Sequence, residues 1–427
     1  MGRTASREVV EAFGAFLRRR TTLSDEAVRS RMDDLRGGRL HGASPSAVLS
    51  GDAASTVQRA VGAPEGAFTA ADVSTEEARR RLAGLAERVA AQLQAGEVPS
   101  FDLPDLHGSN AIHDSRGNVF LGPKVRRVAL DRRGGEAFMR ILLALEVASD
   151  NLRDASCTTK RGLYYHHQTV LPDDDRDQRN TDRAITSLAS LLGVRRRALG
   201  FVEARRGTVF GRLVLRQGGA VVDVAQLGPA GHPVPRFTDE VEILGSDARF
   251  VLVIEKQSVA HRVAQTRWWE KVPCVLVCSE GFPSLSTREL LKSLVDTLRV
   301  RVLVCADADP SGIQLALTCA HGSIATALET PWLACDDVWW AGLRPSAIDR
   351  HTGVDGHIPL ADTDYEAARR LREHPSYAHV RQEVRDEVAI LVERRVKVEI
   401  DALMRDMPRL VDEHLPRMLL ESEPLRL

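Results

Sequence analysis

The segment RVRVLVCADADPSG, residues 299–312, is an apolar run followed by two aspartates, a proline and a glycine. The apolar part is continuous rather than alternating, which is typical of a parallel strand covered on both faces. Asp307 and Asp309 follow the predicted strand directly, and Pro310 and Gly312 turn the chain. The segment therefore predicts an α/β sheet with two carboxylates beyond the carboxyl end of one strand.

Two similar apolar runs precede this segment, RFVLVIEK at 249–256 and VPCVLVCSEG at 272–281. Helical stretches separate the three runs, so the pattern favours an α/β domain with a parallel sheet. The first run ends in Glu255, and parallel strands end at one edge, so we expect Glu255, Asp307 and Asp309 to converge there. Carboxylates on a rigid edge suit Mg²⁺, with Mn²⁺ able to substitute. The alternative is three solvated acids.

The stretch from 136 to 215 alternates helical and hairpin signals. Three helices, in EAFMRILLALEVASDNL, TTKRGLYYHH and TDRAITSLASLLG, precede a basic segment and a predicted hairpin with its turn at 205–207. Helices followed by a basic helix and a β-hairpin are the order of a winged helix, a variant of the helix-turn-helix. We therefore predict a winged-helix domain in front of the α/β domain.

The basic segment is local, since 58 lysines and arginines nearly cancel 59 aspartates and glutamates over the whole chain. Phosphate neutralisation needs such local density, and the alternative is a solvated charged face. The predicted DNA-binding residues are Arg195, Arg196, Arg197, Arg205, Arg206 and Arg212.

The two ends of the chain are predicted to differ in order. Residues 1–73 are predicted to be a partly flexible extension, with an amphipathic stretch from Val9 to Leu17 that could dock a partner. Ser74 and Glu77 form a capping box that begins a packed helix. YEAARRLREHP and RDEVAILVERRVKVEIDALM (385–404) predict closing helices. The predicted domains are thus 1–73, 74–215 (winged helix) and 216–427 (α/β).

Several function classes are excluded by composition. The longest apolar runs are strand-sized, far below the roughly 18 residues of a membrane helix, so no membrane association is expected. The amino terminus has no signal-peptide apolar core, which makes an intracellular protein the expectation. Six scattered cysteines are expected to be reduced, and the C-x-x-x-C of Cys274 and Cys278 has no second ligand pair at zinc spacing, so no zinc site is expected.

The strand-end glutamate and D-x-D resemble the Toprim domain of topoisomerases, primases and some nucleases. More closely, six motifs occur in the order found in the family of Spo11 proteins and topoisomerase VI A subunits: TTKRGLYYHHQ, VIEKQSVAHRV, GFPSLSTRELL, DADPSGIQLALTCAHGS, WWAGLRPSAIDR and RVKVEIDAL. The resemblance covers residue 75 to the end. It implies a 5Y-CAP-like winged-helix domain followed by a Toprim domain.

Spacing alone does not choose between Tyr164 and Tyr165. The resemblance makes the choice, since the motif of the family places its nucleophile at Tyr165. It implies attack on a DNA phosphorus, a 5′-phosphotyrosyl intermediate and Mg²⁺ at the three acids. Arg161 lies one helical turn before Tyr165 and could stabilise the phosphorane charge. His166 or His167 could shuttle a proton, although packing roles are the simpler interpretation.

The resemblance also implies double-stranded DNA as substrate, a homodimer with composite active sites, a B-type partner carrying a GHKL ATPase and transducer, and a nuclear location if the protein is eukaryotic. We predict a Spo11-like protein that makes programmed meiotic double-strand breaks. The alternatives are the A-type chain of a topoisomerase VI, a catalytically silent DNA-binding scaffold, and a Toprim nuclease without a covalent intermediate. Departures from the family pattern at Gly162, Gln257 and His261, and the acidic loop after 170, bear on cleavage efficiency.

Overall fold

The computed structural model describes residues 63–95, 97–170, 179–237, 240–352, 356–373, 377, 379–420 and 425–427. The chain forms two compact units. The helical unit comprises the described residues up to 204 together with the later segment 323–332. The sheet unit comprises 205–322 and 333–427. The predicted amphipathic stretch near the amino terminus and the acidic loop at 171–178 lie outside the described residues.

Four helices make up most of the helical unit. The first begins after Ser74, whose hydroxyl accepts a hydrogen bond from the Glu77 amide (3.2 Å), as the capping box predicts. The apolar faces of the four helices meet in one core, where Phe138, Leu163 and Leu188 are fully buried. The helices are α1 (Thr75–Gln94), α2 (Gly135–Arg153), α3 (Lys160–Val170) and α4 (Arg179–Leu192).

Short strands and a returning segment complete the helical unit. β1 (Ser100–Pro104) pairs antiparallel with β4 (Val125–Ala129), and β2 (Ala111–His113) pairs antiparallel with β3 (Val119–Leu121). β5 (Thr158–Thr159) and β6 (Phe201–Val202) run parallel. Within 323–332, a 3₁₀ helix, Ile324–Glu329, adds Leu328 to the core.

The predicted wing hairpin across 205–207 is not formed, and this expectation was wrong. β6 pairs with β5, whereas β7 (Thr208–Gly211) joins the large sheet of the sheet unit. Val209 and Phe210 of β7 are fully buried in that sheet. Burying a strand that is apolar on both faces stabilises the fold more than the local turn at 205–207 would. The boundary between the units consequently falls at 204/205 rather than after 215.

The sheet unit is built on a seven-stranded sheet in the order β10-β7-β13-β12-β14-β15-β18. Its four central strands are parallel, as predicted, but antiparallel strands flank them, so the sheet is mixed. Its further strands are β10 (His232–Pro233), β12 (Phe250–Ile254), β13 (Val275–Cys278), β14 (Arg301–Cys305), β15 (Val338–Gly342) and β18 (Leu425–Arg426). Smaller sheets contain β8 (Val214–Gln217), β9 (Ala220–Asp223), β11 (Val241–Gly245), β16 (Ile358–Pro359) and β17 (Val396–Lys397).

Alternate residues of each central strand face opposite sides of the sheet, and each side has its own core. On β12, Val251 and Val253 face one core, and Phe250, Leu252 and Ile254 face the other. Helices cover both faces, which explains the continuous apolar runs. They are α5 (Gln257–Gln265), α6 (Leu285–Leu298), α7 (Pro310–His321), α8 (Ile348–Thr352), α9 (Asp362–Glu373), α10 (Gln382–Arg394) and α11 (Leu415–Leu420), with a π-helical turn, Leu410–His414, before α11.

The strand order reverses between β12 and β14. After β12 the chain forms β13 on one side of it, whereas β14 and then β15 lie on the other side. Ligand sites of α/β sheets lie beyond the carboxyl ends of strands at such a reversal. Glu255 follows β12, and Asp307 and Asp309 follow β14, so the fold places all three acids at this edge. None of the described helices is long and apolar enough to cross a membrane.

Candidate active site

The tyrosine pair lies on α3, in the helical unit. The helix begins after Thr159, whose hydroxyl accepts a hydrogen bond from the Gly162 amide (3.0 Å). Leu163 anchors the inner face, since its side chain is fully buried. Tyr164 is partly buried, whereas Tyr165 is 50% exposed, and their ring centroids are 5.7 Å apart. Tyr165 is thus the more exposed of the two tyrosines.

The hydrogen-bond partner of Tyr165 is Arg161, one turn earlier on α3. Its Nε donates a hydrogen bond to Tyr165 Oη (3.0 Å), and its Cζ lies 5.7 Å from the ring centroid. A guanidinium at this distance places a positive charge beside the phenol oxygen, where it can stabilise negative charge that develops in a reaction. Neighbouring Lys160 pairs with Glu203 (2.9 Å) and Asp182 (3.4 Å). His166 is partly buried, and the side chain of His167 is outside the described part of the chain.

The three predicted acids are held by backbone amides at the edge of the sheet. Glu255 Oε2 accepts a hydrogen bond from the Asp307 amide (3.2 Å), and Asp309 caps α7 by accepting one from the Gly312 amide (2.7 Å). A Cβ on Gly312 would lie 2.2 Å from the Asp307 carbonyl oxygen. Only glycine therefore fits at this position, which the turn after the D-x-D requires.

Asp307 is the most constrained of the three, being 7% exposed. Its Oδ1 accepts a hydrogen bond from the Ile400 amide (2.8 Å), and its Oδ2 lies 3.2 Å from Lys256 Nζ. Both oxygens of Asp307 thus have partners within the sheet unit.

Burial and mutual repulsion disfavour the ionised forms of the three carboxyl groups at this edge of the sheet. Burial, and next the charge of Asp307, raise the pKa of the Glu255 carboxyl to about 7. Burial also raises the pKa of Asp307 and of Asp309, against the effect of their amide hydrogen bonds and of the nearby lysines. A divalent cation would relieve this repulsion and keep the carboxylates ionised.

The acids fit a magnesium ion in charge and chemistry. Their oxygens are hard ligands, and Glu255 Oε1 accepts no hydrogen bond from the described residues, so it is left for a cation. In their present conformations, no group of three or more His, Cys, Asp or Glu side chains among the described residues is arranged to hold a metal ion.

A segment that the sequence analysis assigned to a helix completes the edge. The predicted helix over 385–404 ends at Arg394, because Arg395 adopts a left-handed conformation (φ 52°). The next residues, 396–401, run alongside the acids, with hydrogen bonds between the Ala308 and Val398 backbones (2.9 and 3.4 Å). We call Lys397–Asp401 the strap.

The strap brings residues to the site that the sequence analysis quoted but did not assign. Val398 and Ile400 are fully buried, while Lys397, Glu399 and Asp401 face the acid edge. The alternation of apolar and charged residues in VKVEID is the signal that could have found them, since period two is typical of a strand.

The six predicted DNA-binding arginines are not one surface. Arg195 and Arg196 are only 2% and 6% exposed, and Arg196 Nε lies 2.7 Å from Glu329 Oε1 within the helical unit. Guanidinium groups that are buried and ion-paired cannot contact a phosphate, so the prediction of DNA binding by Arg195 and Arg196 was wrong. Arg197 pairs with Asp72 (3.3 Å), and Arg212 is held by the Trp269 carbonyl (3.0 Å). Only Arg205 and Arg206 are exposed.

Two domain families match the chain. The family described as "Type IIB DNA topoisomerase" matches residues 136–201, which contain α2 to α4. The Toprim domain family of Spo11 and the topoisomerase 6 A-type chains matches residues 250–419, which span most of the sheet unit. The sheet unit is accordingly a Toprim domain, a class that generally binds Mg²⁺.

Curated relatives carry both names of the family. The chain is 27% identical over 364 residues to the A3 chain of DNA topoisomerase 6 from Oryza sativa subsp. indica (83% of this chain, 80% of the relative). It is 28% identical over 318 residues to "Meiotic recombination protein SPO11-2" of the same subspecies (73% and 81%). It is 26% identical over 376 residues to the A-type chain of type 2 DNA topoisomerase 6 from Hyperthermus butylicus (82% and 97%). The chain is thus similar to Spo11 proteins and to topoisomerase VI A subunits in parts of both units.

Proposed function

We propose that this protein cleaves duplex DNA by transesterification, with Tyr165 as nucleophile. The observation that carries the proposal is the 3.0 Å hydrogen bond from Arg161 Nε to the hydroxyl of the exposed Tyr165. A tyrosine with a purely structural role is commonly buried, whereas Tyr165 is half exposed and its hydroxyl accepts a hydrogen bond from a cation. The similarity to a type IIB DNA topoisomerase domain and to a topoisomerase 6 chain supports DNA as the substrate.

The reaction exchanges one phosphodiester for another. The Tyr165 oxygen loses its proton and attacks phosphorus, a phosphotyrosyl bond to the 5′ side forms, and the bond to the 3′ oxygen breaks. The departing 3′ oxygen takes up a proton, so no water or energy source is consumed and the step is reversible. Arg161 stabilises the negative charge that develops on the phosphorane during attack.

Glu255, Asp307 and Asp309 are the proposed magnesium ligands. When bound there, Mg²⁺ supplies positive charge that orients a phosphate and stabilises the negative charge developing on its oxygens. The residues of the chain determine where that charge is held: the Asp307 amide fixes Glu255, and the Gly312 amide fixes Asp309.

The biological role that we propose is Spo11-like: programmed meiotic double-strand breaks that initiate recombination, in the nucleus. A relative named for meiotic recombination, which matches 73% of the chain, supports this role. The second candidate is the A-type chain of a type IIB topoisomerase, which reseals the same intermediate. The topoisomerase 6 chain from Hyperthermus butylicus, 97% of which is covered by the match, supports this candidate. Either role uses a homodimer and a B-type ATPase partner.

DNA binding is proposed to involve the helical unit and the exposed arginines. α2, α3 and α4 pack against one another in the manner of a helix-turn-helix domain. Arg205 and Arg206, which are exposed, are the proposed phosphate contacts.

The test is the covalent adduct. Purified protein, with and without a candidate B-type partner, is incubated with supercoiled DNA and Mg²⁺ or Mn²⁺, denatured, and assayed for protein attached to 5′ ends. We expect adducts in the wild type and in Tyr164→Phe, and none in Tyr165→Phe. Adducts that persist in Tyr165→Phe, or no adduct with any partner despite DNA binding, would contradict the proposed reaction. Religation of the cut DNA together with ATP-dependent relaxation would favour the topoisomerase role.

A further inference from the structure

One strand of the helical unit carries a basic surface that the sequence analysis did not single out. Residues 124–133, KVRRVALDRR, contain five lysines and arginines and one acid, Asp131. They form the start of β4, the rest of that strand and the turn that leads into α2. The exposed cations are Lys124, Arg126, Arg127, Arg132 and Arg133, and we call these five residues the basic patch.

The backbone that presents the basic patch is firmly held. β4 pairs antiparallel with β1 along its whole length. Phe101 of β1 is buried, and its ring stacks on the ring of Phe138 in α2, with centroids 4.5 Å apart. In the turn after β4, Asp131 Oδ1 accepts hydrogen bonds from the amides of Arg133 (2.9 Å) and Gly134 (2.7 Å). The cations therefore project from a fixed surface.

The positive charges of the basic patch have little compensation within the chain. In the part of the chain that the structure describes, no ion pair or hydrogen bond involves the guanidinium groups of Arg126, Arg127 and Arg132. Asp102, which is exposed on β1, lies across from Arg127 in the strand register. Because neighbouring like charges repel one another, this density destabilises the free protein, and a bound anion would relieve the repulsion.

The basic patch is separate from the tyrosine nucleophile. β1 packs against α4 and β4 packs against α2, whereas Arg161 and Tyr165 lie on α3. All of these elements belong to the helical unit. DNA that contacts the basic patch would therefore do so outside the reacting phosphate.

We propose that the basic patch binds the sugar–phosphate backbone of duplex DNA beside the segment that is cleaved. A DNA backbone carries dense, regular negative charge, and closely spaced cations neutralise it with release of counterions. An acidic protein surface is the competing partner, and DNA is favoured because the proposed reaction already brings a duplex to the helical unit. This inference rests on the proposed function, since it takes DNA as the substrate.

The test measures DNA binding without the reaction. Fluorescence anisotropy of a labelled duplex is recorded in EDTA over a series of salt concentrations, for the wild type and for Arg126→Gln/Arg127→Gln. Each phosphate contact that is lost makes the slope of log affinity against log salt shallower by about 1, so we expect a change of about 2. The loss of affinity should be the same for duplexes of different sequence, because backbone contacts carry no sequence information. Asp102→Asn removes the opposing charge and should strengthen binding.

The matched control is Arg80→Gln/Arg88→Gln. Arg80 and Arg88 are exposed arginines of α1 in the same unit, so their loss changes the net charge by the same amount. The slope of this control should equal that of the wild type. An equal change in the two double variants would overturn the inference, because net charge alone would then explain it. An unchanged slope in Arg126→Gln/Arg127→Gln would also overturn it and would leave the basic patch to an acidic protein.

A charge-retaining variant separates a lost contact from a lost fold. Arg126→Lys/Arg127→Lys should keep the wild-type slope, and if it loses binding as the glutamine variant does, the effect is structural and the inference fails.

Failure of the proposed reaction is detected separately, in adduct formation. A wild type whose DNA binding depends on the basic patch but which forms no adduct supports this inference and contradicts the proposed reaction. If the wild type binds no DNA, both fail.

Discussion

At the scale of single residues, the proposed role of Tyr165 as nucleophile can be tested through its hydrogen-bond partner Arg161. Replacing it with glutamine removes the cation beside Tyr165 Oη without altering the anchor at Leu163. Loss of one donor to a developing negative charge lowers rates by about 10²–10³. We expect that decrease in the single-turnover rate of adduct formation. Arg153→Gln is the control, since Arg153 is an exposed arginine paired with Asp150 and Asp154, and an equal decrease there would contradict the assignment.

Gly312 is predicted to tolerate no side chain. In Gly312→Ala the new Cβ would meet the Asp307 carbonyl oxygen at 2.2 Å, so the turn must open and the Asp309 cap must weaken. We expect a lower melting temperature and weaker Mn²⁺ binding, measured by thermal denaturation and by calorimetry. In Gly84→Ala no atom lies within 4 Å of the added methyl, and helix α1 should be stabilised by up to about 1 kcal/mol. Equal behaviour of the two variants would refute this account of the turn.

Glu255 gives the metal-free protein a pH dependence of known sign. Burial, then Asp307, raise its pKa from 4.5 to about 7, so the folded chain holds a proton that the unfolded chain releases in this window. This contribution to stability is fully present below the unfolded pKa and is lost as the pH rises through about 7. The melting temperature of the wild type relative to Glu255→Gln should therefore fall between about pH 5 and about pH 8. Mg²⁺ should restore it at the higher pH, and a difference that rises with pH would contradict the assignment.

At the scale of elements, the sequence predicts the buried strands well because their signal is local. β12 and β14 are continuous apolar runs, and each ends in the acids of the site. The strap was missed because 385–404 is strongly helical in composition up to Arg394, and the pairing of Val398 with Ala308 is a long-range contact. The wing was wrongly predicted at 205–207 for a similar reason: the partner of β7 is β13, far along the chain.

The start of α3 is predicted to control the alignment of the nucleophile. Thr159→Ala removes the acceptor of the Gly162 amide, a loss of about 1 kcal/mol at a helix N-terminus. The first turn then frays, and Arg161, which lies in that turn, loses its position under Tyr165 Oη. We expect slower adduct formation with little change in DNA affinity, measured by fluorescence anisotropy. Thr159→Ser, which keeps the hydroxyl, should retain the wild-type rate, and a rate as slow as that of the alanine variant would exclude the capping role.

At the scale of the whole molecule, the helical unit needs the segment 323–332 for electrostatic reasons. Glu329 is 2% exposed and accepts hydrogen bonds from the Arg196 amide (3.2 Å) and Arg196 Nε (2.7 Å). Breaking a buried ion pair on one side destabilises by about 3–5 kcal/mol. We therefore expect Glu329→Gln to lower the melting temperature strongly. Exposed Glu76→Gln, which removes a weak surface pair with Arg79, should leave it nearly unchanged. A small effect of Glu329→Gln would show that the pair is not required.

The return of residues 323–332 to the helical unit has a consequence for how the protein is made. Residues 63–204 emerge from the ribosome before Leu328 and Glu329 have been synthesised. The nascent helices at that stage lack Leu328 from their core and the carboxylate that pairs with Arg196. By the time that segment emerges, β12, β13 and β14 have already been synthesised. The two units thus mature in an interleaved order, and a chain that ends between residues 204 and 323 lacks part of the core of its helical unit.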